Sequence, residues 1–378
     1  MKYMLIGLIA VVAAYIYVYL AYVKKYCRAA LRIGFWIPLA VLAAATAWCT
    51  RNFNFRLIYF LTGMMSILFI PLSVFAFISL IGKCSGLVWK KTVRPVTYTG
   101  LAIACIISAG SAYALIFGWR HVVTKETTIY SDRLPEAFDG YRIVQLSDLH
   151  LGTYRSSPRT VRKIVEKANE AKGDVILFTG DIVNFSHEEI DPFFDELKKL
   201  KAKDGVYSVL GNHDYCIYAN QGIRWADASK TKVIEKEKAM GWHLLLNEHR
   251  YIRRDSSKIA LVGVTNYGKP GYPRDGDLDK AEAGIPSGTF KILMSHDPTH
   301  WRSKVLPNSD VDLTLSGHTH AMQLKFGNFS PSKWSYPEWG GLYERQGQAL
   351  YVSTGSGSNI AFRWGAWPEI DIITIRRR

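Results

Sequence analysis

The chain has 378 residues, 48% of them apolar, and a formal net charge of +15. That length holds one large domain and a second part. Residues 1–119 carry eleven Lys or Arg and no Asp or Glu, which leaves 36 basic against 32 acidic residues, a net of only +4, for the rest. The basic balance therefore belongs to the first third and argues against a nucleic-acid-binding surface on the remainder.

Four apolar stretches open the chain, at about 3–23, 33–50, 57–82 and 100–119. Each approaches the ~20 residues that a helix needs to cross a bilayer. They lack an amphipathic pattern, positive charge is confined to the gaps, and Trp36, Trp48, Trp89 and Trp119 stand near their ends as interfacial anchors do. Lys24 and Lys25 follow the first stretch where a cleavable signal would need small residues. Residues 1–120 are thus expected to form a four-helix transmembrane anchor. Lys24, Lys25, Arg28, Arg32, Lys83, Lys90, Lys91 and Arg94 lie on one side. Lys2, Arg51, Arg56, Arg120, Lys125 and Arg133 lie on the other. Eight against six favours the first set inside and places the rest of the chain outside the cytoplasm. Of the five cysteines only Cys216 lies beyond this region, so no disulfide can form within the later part.

A polar link, 121–138, leads into a domain expected over 139–378. Strand-like runs recur there and end in polar tips: "YRIVQLSDLH" (141–150), "DVILFTGDIVN" (174–184), "GVYSVLGNHD" (205–214), "KIALVGVTN" (258–266), "FKILMSHDP" (290–298), "VDLTLSGHTH" (311–320), "ALYVSTGSGS" (349–358) and "EIDIITIRR" (369–377). Helices are expected at about 158–171, 188–202 and 222–240. The alternation predicts an α/β fold with a largely buried sheet, whose functional groups gather beyond the carboxyl ends of the strands. Five tips carry Asp148 and His150; Asp181; Asn212, His213 and Asp214; His296; and His318 and His320. Singly each is a common turn. Together they form a mixed nitrogen and oxygen set that suits zinc, manganese or iron, and a shared carboxylate would hold two ions close together. Side chains two apart on extended backbone project to one side, so His318 and His320 can reach one spot.

The succession "DLH", "GDIVN", "GNHD", "SHDP", "GHTH" resembles the calcineurin-like metallophosphoesterase family over roughly 139–378. The contexts "LPEAFDGYRIVQLSDLHLG" and "PEIDIITI" are similar to its membrane-anchored branch, which includes bacterial phosphodiesterases and UDP-2,3-diacylglucosamine pyrophosphatases. The resemblance implies a four-layer αββα sandwich and two divalent ions (Mn, Zn or Fe). It gives Asp148, His150, Asp181 and His320 to one ion, and Asp181, Asn212, His296 and His318 to the other. It makes His213 the group that touches the phosphate or protonates the leaving oxygen, with Asp214 steering it. The implied reaction is hydrolysis of a phosphomonoester, phosphodiester or pyrophosphate by water activated at the ions. A four-helix anchor fits a lipid-linked substrate and a multi-pass protein of the bacterial inner membrane. The alternatives are a UDP-2,3-diacylglucosamine pyrophosphatase, which needs the domain in the cytoplasm, and a non-catalytic membrane scaffold or transport protein, whose sign would be a lost ligand. The resemblance departs at Ala321 and Met322, where close relatives often carry glycines; larger side chains there are expected to narrow the floor of the site.

His121, His187, His243, His249 and His300 lie off the five tips and read as local hydrogen-bonding groups. Cys216 reads as packing. Asn184 is a candidate for orienting a ligand. The stretch 330–347 places Trp334, Tyr336, Trp339 and Tyr343 shortly after the histidine pair, either as a cover for the core or as an aromatic rim for an apolar or membrane-borne group.

Overall fold

The computed structural model describes residues 2–51, 55–155 and 157–378. The chain divides into two compact units, Met1–Phe117 and Gly118–Arg378. Among the described residues, four helical stretches are long and apolar enough to cross a membrane: Ile9–Tyr26, Ala29–Cys49, Leu57–Ser85 and Lys90–Arg120. A π-helical turn, Met65–Phe69, precedes Pro71. Proline has no N–H to give the preceding turn, so the ladder slips there. Ser79 shows how a polar side chain finds partners inside this unit. Ser79, fully buried, meets the hydroxyl of Tyr17 at 2.9 Å and that of Tyr22. Such pairing is what polar groups require between apolar helices.

The second unit is a sandwich of two six-stranded mixed sheets. In chain order the strands are β1 (Val123–Ser131), β2 (Tyr141–Leu146), β3 (Val175–Phe178), β4 (Val206–Ser208), β5 (His243–Leu244), β6 (Glu248–Arg254), β7 (Ser257–Gly263), β8 (Lys291–Met294), β9 (Leu313–Ser316), β10 (Gly341–Arg345), β11 (Gln348–Val352) and β12 (Glu369–Arg377). The first sheet runs β1-β12-β2-β3-β4-β5 and the second β10-β11-β9-β8-β7-β6.

The period of two along each strand decides the layers. Tyr141, Ile143, Val175, Leu177 and Ile373 from one sheet pack against Ile259, Leu261, Ile292, Leu313 and Tyr351 from the other. Their alternate neighbours point outward. Val144, Leu146, Ile176 and Phe178 pack with Val161, Ile164 and Val165 of the helix Pro158–Glu170 and with Val233 of the helix Ile223–Ala239. Val262, Leu293 and Leu350 pack with Ala281, Trp301 and Val305 on the far side. Three apolar seams therefore separate four layers, helix, sheet, sheet, helix.

Two expectations from sequence need correction. The segment Thr124 to Asp132, read as a polar link, carries β1, which pairs in parallel with β12 along its whole length. Its residues alternate between half-buried and exposed over most of the strand, as an edge strand requires, and this gives it the look of a linker. The helix expected at 188–202 is reduced to short turns and the single α-turn Phe194–Leu197. Pro192 removes an N–H and disfavours a helical conformation at Asp191, so a long helix cannot run through it.

Candidate metal centre

Strands β2, β3 and β4 are mutually parallel, as are β8 and β9. The loops that leave their carboxyl ends carry every residue of the five tips. The backbone there is unusual: Asp148, His150, Asp181, His318 and His320 all have positive φ. Non-glycine residues held in that region cost of order 1 kcal/mol or more each, and such strain concentrates at functional sites. Two glycines are sterically required. A Cβ on Gly211 would lie 2.2 Å from Asp181 Oδ1, and one on Gly317 would lie 2.2 Å from Asp148 Oδ2. These clashes explain the glycine that precedes Asn212 and the one that precedes His318.

The loops bring the side chains into three clusters, one of which, His150, Asp181 and His213, shares a residue with each of the other two. Ligand atoms of Asp148, His150 and His320 lie within 4.8 Å of one another, as do those of Asp181, His296 and His318. His320 Nε2 stands 3.2 Å from Asp148 Oδ1 and 2.9 Å from His150 Nε2. Asp181 Oδ2 stands 3.7 Å from His150 Nε2 and 3.1 Å from His296 Nε2, so it faces two clusters at once. His318 Nδ1 is 3.3 Å from His296 Nε2. Asn212 is buried beside them, with its carbonyl oxygen unpartnered.

Whether these residues suit metal ions can be judged from this arrangement. Two donors that share one ion at ~2.1 Å stand roughly 3–3.5 Å apart, the spacing found here. Imidazole nitrogens 2.9 Å apart and a buried orphan carbonyl converge on one space, and an unpartnered buried oxygen is otherwise uncommon. Burial also holds His150 and His320 well below the ordinary histidine range and pushes His318 down to about 4, so these rings are neutral, the ligating form. For His296 burial acts downward, but Asp181 outweighs it and raises the group to about 10. Burial would raise Asp181, yet its histidine neighbours hold it well below the usual carboxylate range. A proton sits where a cation would satisfy the same donors. The donor set fits divalent metal ions.

The surroundings revise several sequence readings. Asp214 does not steer His213. Its carboxylate accepts from the backbone N–H groups of Asp181, Ile182 and Gly211, each at 2.8 Å, and so braces two of the tips against each other. His213 Nδ1 bonds instead to the carbonyl of Asn184 at 2.7 Å, and its ring stands edge-on to His150 at 4.8 Å. Asn184 thus acts on His213 through its main chain. Met322 does not narrow the floor, because it is exposed; Ala321 is buried, and both have positive φ, a conformation glycine adopts without strain. Thr319 turns away from the centre and donates to Trp339 O at 2.6 Å. The aromatic stretch splits: Trp339 is 9% exposed and packs, whereas Trp334 is 79% exposed.

His300 is buried, bonded to Ser295 Oγ and stacked on Tyr267. His187 and His249 pair with Ser229 and Ala281 O. His121 and His243 pack edge-on and tilted against Trp367 and Tyr207. Cys216 is buried, and its thiol is pushed up to about 12 by burial.

Four residues beyond those named at the five tips touch the centre, and of these only Tyr336 is singled out by the sequence, in the aromatic stretch. Asp297, next to His296, is buried with Oδ2 3.7 Å from His318 Nε2. Arg363 is fully buried and sets its guanidinium 2.8 Å from His320 Nδ1 while donating to Thr354 O, Gly357 O and Ala366 O. Tyr218 and Tyr336 bond Asn212 and His318. The aspartate in "SHDP" could have been suspected; Arg363, between two aromatic residues, could not.

The profile of calcineurin-like phosphoesterases matches residues 141–322. An uncharacterized metallophosphoesterase of Bacillus subtilis (strain 168), YkuE, is 30% identical over 289 residues, covering 72% of this chain and 92% of that one. A transmembrane protein with metallophosphoesterase domain from Danio rerio is 29% identical over 326 residues, covering 83% of this chain and 72% of that one. A crystal structure of TT1561 from Thermus thermophilus aligns over 57% of this chain and 90% of that one, with 12% identity and a TM-score of 0.36.

Proposed function

Because the chain belongs to the calcineurin-like metallophosphoesterase family, and so is a metal-dependent phosphoric ester hydrolase, with four helices long and apolar enough to cross a membrane, we propose that it works with two ions on a phosphate ester carried at a bilayer. One observation carries the reading: the Asp181 carboxylate faces two ligand clusters at once. Asp148, His150, Asp181 and His320 would hold one cation; Asp181, Asn212, His296 and His318 would hold the other. Bound divalent cations neutralise phosphoryl charge and make water a competent nucleophile near neutral pH.

The chain's own groups supply the rest. Asp214 fixes the backbone of the Asp181 and Gly211 tips, which keeps the shared carboxylate in place for both clusters. Glu189 accepts from the N–H groups of Gly152, Asn184 and Phe185 and braces the loop that holds His213. With Nδ1–H donated to Asn184 O, His213 keeps Nε2 for the reacting group. A proton on that atom can pass to the leaving oxygen, a contribution of roughly 10²–10⁴-fold. The lipid-linked substrate is supported by the four spans and by Met322, Phe326, Phe329 and Trp334, all exposed in the segment that follows His320. Ser330, within that segment, donates to Ala321 O at 2.6 Å, which ties the apolar residues to the site. The charge balance of the inter-helix gaps favours an extracytoplasmic domain in a bacterial cytoplasmic membrane, which a compartment-specific reporter at the C-terminus tests.

For the chemistry, the test is full-length protein stripped by chelator and then reloaded with Mn, Zn or Fe. Hydrolysis should vanish and return, and His213→Ala should lose at least ~10²-fold in kcat while keeping its ions. Unchanged hydrolysis by the stripped protein would refute the proposal.

A further inference from the structure

Three tyrosines stand around the His318 side of the centre. Tyr336 Oη lies 2.8 Å from His318 Nε2. Tyr218 Oη accepts from Asn212 Nδ2 at 2.9 Å, and its ring lies 4.5 Å from that of His213. Tyr272 is set edge-on to His318, with ring centroids 5.8 Å apart.

The direction of these bonds follows from what each group can do. His318 turns Nδ1 toward His296 and the cluster, so its outward Nε2 carries the hydrogen and the Tyr336 oxygen accepts it. The Asn212 carboxamide nitrogen is a donor only, so Tyr218 also accepts. Each phenol is thereby anchored through its lone pair to a residue of the donor set. Each keeps its own O–H, for which the described residues supply no acceptor.

Charges on this wall offset one another: the buried Asp297 carboxylate lies 3.7 Å from His318 Nε2, and one ammonium stands nearby. The ammonium of Lys269 lies on the Tyr336 ring, 3.9 Å from its centroid, and donates to Ser335 O. Arg363 is buried, with its donors turned to three main-chain carbonyls, Ser358 Oγ and His320 Nδ1. With Lys269 and Arg363 engaged elsewhere, the hydrogen-bond donors left beside His213 and His318 are the hydroxyls of Tyr218 and Tyr336. A doubly charged phosphomonoester is best held by guanidinium or ammonium groups. A phosphodiester spreads one charge over two non-bridging oxygens and needs only hydrogen-bond donors.

We propose that Tyr218 and Tyr336 donate their phenolic hydrogens to the non-bridging oxygens of the substrate, and that this wall selects singly charged phosphodiesters over phosphomonoester dianions. The inference rests on the two-ion phosphoesterase reading and adds the substrate class.

The experiment uses full-length protein in micelles loaded with Mn²⁺. Bis(p-nitrophenyl) phosphate and p-nitrophenyl phosphate are the probes, and metal content is measured on the same samples. The unsubstituted protein should favour the diester. Tyr218→Phe and Tyr336→Phe should each lower kcat/KM on it about tenfold, the worth of one hydrogen bond to a charged group, with ion content unchanged. Tyr272→Arg, which adds a cation to the same wall, should shift the ratio toward the monoester. Phe variants that keep full diester activity, or whose loss follows lost metal, would overturn the inference, as would a ratio unmoved by Tyr272→Arg. Protein that holds its ions but turns over neither probe contradicts the underlying reading, and the inference falls with it.

Discussion

The two halves of the centre share Asp181 and contribute two histidines each, differ in Asp148 against Asn212, and are backed by opposite groups. Behind the His296 and His318 rings stand acceptors: Thr179 O lies 2.8 Å from His296 Nδ1, and Tyr336 and the Asp297 carboxylate face His318 Nε2. Behind His320 stands the Arg363 guanidinium, and the outer nitrogen of His150 has no hydrogen-bond partner among the described residues. An imidazole whose outer N–H meets an oxygen is fixed in the ligating tautomer and made more basic. A guanidinium has no lone pair to offer and carries like charge toward an ion. The difference teaches that the groups behind the ligating rings bear on binding as well as the donors themselves. The half containing His318 should hold its cation more tightly than the half containing His320.

The largest effect that could break this comparison comes from removing one ring on each side. His296→Ala should leave the protein with about one ion and a loss of more than ~10³-fold in turnover. His150→Ala should also cost one ion, but the survivor should resist chelator longer than the survivor in His296→Ala. Equal chelator resistance in the two variants would show that the backing groups do not matter. A smaller effect is expected from Asp297→Ala, since the loss of an outer-shell carboxylate typically costs roughly 10–100-fold in metal affinity. Calorimetric titration should place that loss in the tighter phase alone. The smallest change in ion binding belongs to Arg363→Lys. It should move the affinity of the tight phase by less than about threefold, while the thermal midpoint falls, because one ammonium cannot serve the five partners of the guanidinium. A large loss from the tight phase in that variant would mean the two halves are not independent.

Much of this is legible in sequence because strand ends are. Apolar runs of four to six residues that stop at a polar tip mark the positions of β2, β3, β4, β8 and β9, and parallel strands then deliver their tips to one end of a sheet without further information. The roles within the tips are less legible. Asp214 follows His213 directly, yet the turn at His213–Tyr215 sends its carboxylate back to the Asp181 backbone, a contact between loops 33 residues apart. Arg363 and Tyr336 reach the centre from loops with no periodic pattern, so only the folded chain shows where they lie. Strand β1 escapes a reading of the sequence for the reverse reason: at a sheet edge, half its side chains face water and its composition is that of a linker. The positive φ at Ala321 and Met322 is visible only indirectly, as residues standing where glycine is easier.

The account depends on the shared carboxylate of Asp181. The most direct measurement is the metal content of purified full-length protein, by mass spectrometry of the bound ions, for the unsubstituted chain and for Asp181→Ala. Two ions per chain falling to fewer than one is the predicted result. A single ion in the unsubstituted protein, or two retained without Asp181, would contradict it.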